Sequence, residues 1–150
     1  MRRDRDRPAR TSDQPGRDLS GLLRQGWLSL ALWMSVGLLL EGLLGYKIPA
    51  YLDDPQRREL LRLAHAHGTL LALVLVVAAL WAEKRVPPRA AVAGLRLGAA
   101  VMPLGFGLAG IWHPEGDPGP LIWAVPPAAL LVIFGIFAIA LSHFKKAPTK

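Results

Sequence analysis

The sequence predicts an all-α integral membrane protein: a four-helix bundle with both termini on the cytoplasmic side. Three observations predict it. Of the 150 residues, 52% are hydrophobic, and the mean hydropathy is +0.31, which is high for a soluble domain. The apolar residues fall in long runs and the charges in blocks, whereas a surface helix of a soluble protein carries both around its circumference. Lys and Arg are also divided unequally between alternate connecting segments. These features exclude a disordered chain and an ordinary cytosolic enzyme. The absence of cysteine excludes a disulfide framework, a thiolate zinc site, an iron–sulfur cluster and a Cys nucleophile.

The elements follow in order. Residues 1–20 are rich in Arg, Asp, Pro, Ser and Gly, and they predict a disordered basic tail. A bilayer core needs about 20 apolar residues of helix, and four segments within a 21–146 membrane domain supply them. The first, 27–45, contains a single charge, Glu41. It reads as a retained signal anchor, because its leader is long and mixed in charge and no A-x-A-like cleavage site closes it. The second is 63–82, the third 91–112 and the fourth 121–144; residues 147–150 form a short tail. The third span is rich in glycine and contains Pro103, which removes a backbone donor and predicts a kink.

Orientation follows from the basic residues. Seven arginines precede the first span; Lys84, Arg85, Arg89 and Arg96 surround the second loop, and Lys145, Lys146 and Lys150 follow the fourth span. Fourteen of the eighteen Lys and Arg residues thus share one side, and only Lys47, Arg57, Arg58 and Arg62 lie on the other. The positive-inside rule puts the larger group in the cytoplasm. The basic surface then meets anionic headgroups of the lipid bilayer. No aromatic residues interleave with the tail arginines, so no nucleic acid is expected as a partner. In the first outer loop, Asp54 before Pro55 predicts an N-cap with proline at the first helical position. Tyr46, Tyr51, Trp112 and Trp123 at one end, with Trp27 and Trp81 at the other, read as aromatic belts.

The candidate site residues are the polar groups at membrane depth. Glu41, with Gly37 and Gly45 four residues to either side, is expected to face the bundle interior or a water-filled cavity, along a stripe of small residues and within reach of the second span. His65 and His67 lie two positions apart and point to nearly opposite sides of a regular helix. The face of His65 continues through Gly68, Thr69, Ala72 and Val76, which is small and polar and predicts an inward residue. The face of His67 continues through bulky Leu70, Leu71, Val74 and Trp81, which predicts a lipid-facing residue at headgroup level. His113 ends the third span and His143 the fourth. Glu41, His65, His67 and His113 are all expected at the outer level. Two cofactor readings follow: haem on His65 with His113, or a divalent metal on His65, His67 and Glu41. The bland alternatives are helix-to-helix hydrogen bonds for Glu41 and His65 and a solvated loop position for His113. The glycines of the third span predict either tight packing or room for a flat cofactor or lipid.

The stretch LLLEGLLGYKIPAYLDDPQRRELLRLAHAHGTLLALV, residues 38–74, resembles an uncharacterised group of small bacterial four-span membrane proteins through its GYK–Y loop followed by RLAHAHGTLL. The resemblance implies the four-span architecture and a bacterial cytoplasmic (inner) membrane, and it carries no activity. The HxH at a span start is also faintly similar to the histidine motifs of haem–copper oxidase central subunits. Those have many more spans and more ligands, which this chain lacks.

Three functions are therefore weighed. The first is a structural or accessory component without chemistry of its own, alone, as a homo-oligomer or in a larger membrane complex. The second is a haem- or metal-binding membrane protein. The third is a transporter or channel subunit with Glu41 as its ion site. Enzymatic activity is not expected, since no nucleotide loop, HExxH or Ser–His–Asp arrangement is present.

Overall fold

A computed structural model describes residues 15–82, 87–114 and 116–144, with the side chains of 15–19, 143 and 144 outside the description. The elements are α1 (Pro15–Gly45), the single turn α2 (Pro49–Leu52), α3 (Pro55–Ala82), α4 (Arg89–Ile111), a short 3-10 turn (Pro120–Ala124) and α5 (Val125–Phe144). No strand occurs among the described residues. Four helices are long and apolar enough to cross a membrane, with windows at Ser20–Gly45, Pro55–Ala82, Arg89–Ile111 and Pro120–Ser142. The expected all-α bundle is therefore observed. The basic tail expected over 1–20 lies outside the described residues up to 14, and from Pro15 onward the chain is already helix. Helical hydrogen bonding thus extends well beyond the apolar run that marks the span.

The helices pack in chain order, α1 on α3, α3 on α4 and α4 on α5. Among the described residues no Cα of α1 comes within 8 Å of α5, and α1 meets α4 only near its start. The bundle is an open row with α3 and α4 in its middle. Its shared core is made by Leu22 of α1, Leu75 of α3, Leu95 of α4 and Val132 and Ile139 of α5. Apolar burial does little to drive helices together in lipid, because lipid tails are as apolar as leucine, so close backbone approach at small residues matters more. The α4–α5 interface shows this twice: Gly98 lies against Ala128 O and Val132, and Gly135 lies against Ala91 O and Leu95. The glycines of α4, read as packing or as room for a flat cofactor or lipid, are used in packing: Gly94, Gly98 and Gly105 lie against α5 and the turn before it, and Gly107 and Gly110 against α3. Pro103 is buried within α4, which continues as helix through it.

The loop after α1 turns on a Schellman motif: Ile48 N–H donates to Leu43 O (3.0 Å) and Lys47 N–H to Leu44 O (3.1 Å). The motif needs a left-handed residue, and here that residue is Lys47 at φ 53°. A β-carbon is disfavoured in that conformation. Lys47→Gly is therefore expected to raise stability in detergent by about 0.5–1 kcal/mol, read as an upward shift of the melting temperature.

Asp54 caps α3 as its sequence predicts. Its Oδ1 accepts the Arg57 N–H at 2.9 Å, and Pro55 occupies the first helical position. Arg57 then ties three segments together, donating from Nη1 to Ala50 O at 3.0 Å and from Nε to Gly110 O at 3.4 Å. At the other end of the row, Gln25 and Arg96 form a reciprocal pair. The Arg96 Nε–H donates to Gln25 Oε1 at 2.8 Å, and Gln25 Nε2 donates to Arg96 O at 2.9 Å. The guanidinium lies beside Gly21. This pair keeps a charged side chain satisfied inside a span.

Candidate functional site

The α1–α3 interface is built from two glycines and two rings. His65 of α3 lies over Gly37 of α1, and Trp33 of α1 lies over Gly68 of α3; a β-carbon on either glycine would collide with the opposing ring. The spacing of each pair, one helical turn, puts ring and glycine on one face, so the two helices interlock. His65 donates from Nδ1 to the Trp33 carbonyl at 2.8 Å, and Thr69 Oγ1 lies 3.5 Å from the same nitrogen. With Nδ1 carrying the proton, a neutral His65 keeps its lone pair on Nε2, which has no hydrogen-bond partner among the described residues.

Beside this interlock the two helices diverge into a groove of about 1080 Å³. Leu30, Met34, Leu38 and Leu73 form its apolar walls, His65 and Thr69 its polar floor, and Glu41, Arg58, Glu59 and Arg62 its charged rim under Tyr51. The loop supplies the roof because α2 folds back and buries Tyr51 at 5% exposure. Tyr51 was expected in the aromatic belt and is instead part of this wall, while Tyr46, Trp112, Trp123, Trp27 and Trp81 are exposed as a belt requires.

Glu41 is in part a correction: it is exposed on the groove rim and not buried in the bundle interior, while the groove it lines is shared with His65 and Thr69 of the second span. Gly37 is covered by the His65 ring, whereas a β-carbon at Gly45 would meet nothing, so the small residues around Glu41 do not form one contact stripe. No hydrogen bond or ion pair of Glu41, Glu59 or Arg62 occurs among the described residues, and Arg58 donates from Nη1 to Leu52 O at 3.0 Å.

His67 is a second correction. It faces α4 rather than lipid, with its ring 5.0 Å from that of Phe106 at 32° and its Nδ1 donating to Leu63 O of its own helix at 2.9 Å. The expectation that His65 and His67 point apart holds, but α3 has helices on both flanks, so both rings are partly buried. No family model matches the chain, and no curated protein or solved structure is significantly similar to it.

His113 belongs to a different cluster. Its side chain is 6% exposed and its Nε2 lies 3.0 Å from Asp54 Oδ2, close but without aligned hydrogen-bond geometry. Its Nδ1 donates to Pro114 O at 2.9 Å. The solvated loop position expected for His113 is thus replaced by a buried contact. Asp54 also faces Arg57 Nη2 at 3.6 Å. The Arg57 backbone N–H, against the opposing pull of burial and with the charges of His113 and Arg57 adding to it, holds the Asp54 carboxyl below the ordinary aspartate range. A depressed carboxylate stabilises the folded state above the ordinary range and stops doing so as pH falls through its lowered value. The protein should therefore lose stability on acidification below the ordinary aspartate range. Asp54→Asn keeps the N-cap but removes the charge, so its melting temperature should fall less steeply over the same acid titration.

The structure brings Glu41 and His65 to one groove. His67 turns to α4 and His113 to Asp54, and neither lines that groove. His143 lies in α5 with its side chain outside the described residues. Among the described residues no three His, Asp or Glu side chains stand close enough to hold a metal ion. The set His65, His67 and Glu41 is therefore not assembled as a metal site, and haem between His65 and His113 finds no common cavity in the groove. Trp33, Gln25 and Arg96 carry the helix contacts and were not among the sequence candidates. For Arg96 a signal existed: a charge inside a span needs a partner at its own depth, and Gln25 is the polar residue of the first span's entry at that level.

Proposed function

We propose that this multi-pass protein is a structural or accessory component of the bacterial cytoplasmic membrane, with both termini in the cytoplasm, that binds and packs within the bilayer and carries out no chemistry. The observation that carries this reading is the use made of the polar side chains at membrane depth. His65, His67, Gln25 and Arg96 are engaged in joining or stabilising helices and do not converge on a reacting centre. The open row, with α1 packed chiefly on α3 and α5 on α4, leaves faces for lipid, for a second copy or for a larger membrane complex. The orientation rests on the division of Lys and Arg, and the bacterial membrane on the resemblance of residues 38–74.

Reporter fusions at residue 20, in 53–55, near Pro87, near Gly116 and after Lys146 should read in, out, in, out, in. A periplasmic signal near Pro87 would reverse the orientation. Proteoliposomes holding the protein should pass protons and monovalent cations no faster than empty vesicles. A flux abolished by Glu41→Gln would overturn the reading in favour of a transporter.

One observation favours a second reading. The Nδ1–H of His65 is held by a backbone carbonyl, the arrangement that orients a histidine to ligate through Nε2, and His65 lines the groove. A haem or a divalent metal bound there would have His65 as its protein ligand, with Glu41 and Glu59 as the carboxylates of the same groove.

A further inference from the structure

We infer that the groove between α1 and α3 is a site for a bilayer phospholipid with a primary-ammonium headgroup, of the phosphatidylethanolamine class. The inference deepens the reading of the protein as a bilayer component and rests on it.

The groove has the two-part chemistry of such a lipid. Its lower walls, Leu30, Met34, Leu38 and Leu73, are apolar and suit an acyl chain, and its rim carries two guanidiniums and two carboxylates. The rim lies at headgroup depth. At 1.5 Å rise per residue, Glu41 is about 6 Å from the end of α1 and Arg62 about 10 Å inside α3, and the long arginine stem reaches outward from there. Glu41 is exposed toward the groove, and neither it nor Arg62 has an ion pair among the described residues, although both line the same rim. The four charges are thus not consumed by one another.

Their balance selects the headgroup. Arg58, already fixed through Leu52 O, and Arg62 present guanidinium forks that match a phosphodiester. Glu41 and Glu59 present acceptors that match an ammonium with three N–H donors. An anionic headgroup would satisfy the arginines but face two carboxylates. A trimethylammonium headgroup would satisfy the phosphate contacts but offers no N–H to the carboxylates. A zwitterion with a primary ammonium meets all four groups.

The test is native mass spectrometry of the purified full-length protein, delipidated in detergent and titrated with dioleoyl phosphatidylethanolamine, phosphatidylcholine or phosphatidylglycerol. Phosphatidylethanolamine should be retained in preference to both others. Loss of one charge-assisted contact is expected to change retention about tenfold. Glu41→Gln should therefore lower retention of phosphatidylethanolamine by that factor and of phosphatidylcholine, which loses charge attraction but no hydrogen bond, by less, whereas Arg62→Gln should weaken all three lipids. Both side chains are exposed, so neither change threatens the fold, and an unshifted melting temperature checks this. Equal retention of the three lipids, preference for phosphatidylglycerol, or indifference to Glu41→Gln would overturn the inference. The same spectra separate it from the functional reading: a stoichiometric haem or metal adduct refutes that reading itself, whereas a cofactor-free protein without lipid preference refutes only the lipid site.

Discussion

Gly68→Ala should destabilise the protein by about 1–3 kcal/mol in detergent, the range for inserting a methyl group into a filled interface. The added carbon would enter the Trp33 indole, so the ring must move or the helices must part. Helix propensity pulls the other way, since alanine is favoured over glycine by about 1 kcal/mol in a helix interior. Gly42 provides the control, because a β-carbon there meets nothing within 4 Å. Gly42→Ala should therefore be neutral or stabilising. Truncating the indole removes the obstacle, so most of the Gly68→Ala penalty should vanish in a Trp33→Ala background. That coupling, read from melting temperatures of the two single variants and the double variant, is the signature of direct contact. Additive effects would mean that α1 and α3 do not interlock at this point.

The second large effect is expected at His65. His65→Ala removes an inter-helix hydrogen bond, which is worth about 1 kcal/mol net. It also removes a ring that fills the space over Gly37, and uncollapsed cavities of that kind add to the cost. A total loss of about 2–3 kcal/mol is expected from these two terms. His67→Ala removes a bond within its own helix and a ring contact with Phe106, the latter worth about 0.5–1.5 kcal/mol. The His65 variant should therefore melt lower than the His67 variant. A larger effect at His67 would place the more important contact of α3 on its α4 side.

The spans were legible in the sequence because membrane insertion needs only length and apolarity, and both are local properties. The cap at Asp54 was legible for the same reason, since Asp followed by Pro sets a helix start without help from the rest of the fold. What could not be read was which helix lies beside which face. His65 and His67 were separated correctly by the 100° step of the helix. The face of His67 was then assigned to lipid on its bulk alone. That inference holds for a helix at the edge of a bundle and fails for α3, which has α1 on one flank and α4 on the other. Glu41 was placed inward because glycines lie four residues either side of it, but only Gly37 is used in a contact, and the ring that covers it comes from another helix. Trp33 gave no signal at all: within an apolar run an indole reads as apolar mass, and its role depends on a glycine thirty-five residues away. The Asp54–His113 contact likewise joins loops whose proximity depends on how α3 and α4 pack.

On the proposed reading His65 holds helices together and ligates no cofactor. This is tested most directly by the absorption spectrum and metal content of the full-length protein purified in mild detergent, compared with those of His65→Ala and His67→Ala. No Soret band and no stoichiometric metal are expected in any of the three, together with a lower melting temperature for His65→Ala. A haem or metal present at one per chain, retained by His67→Ala and lost from His65→Ala, would contradict that reading and establish Nε2 of His65 as a ligand.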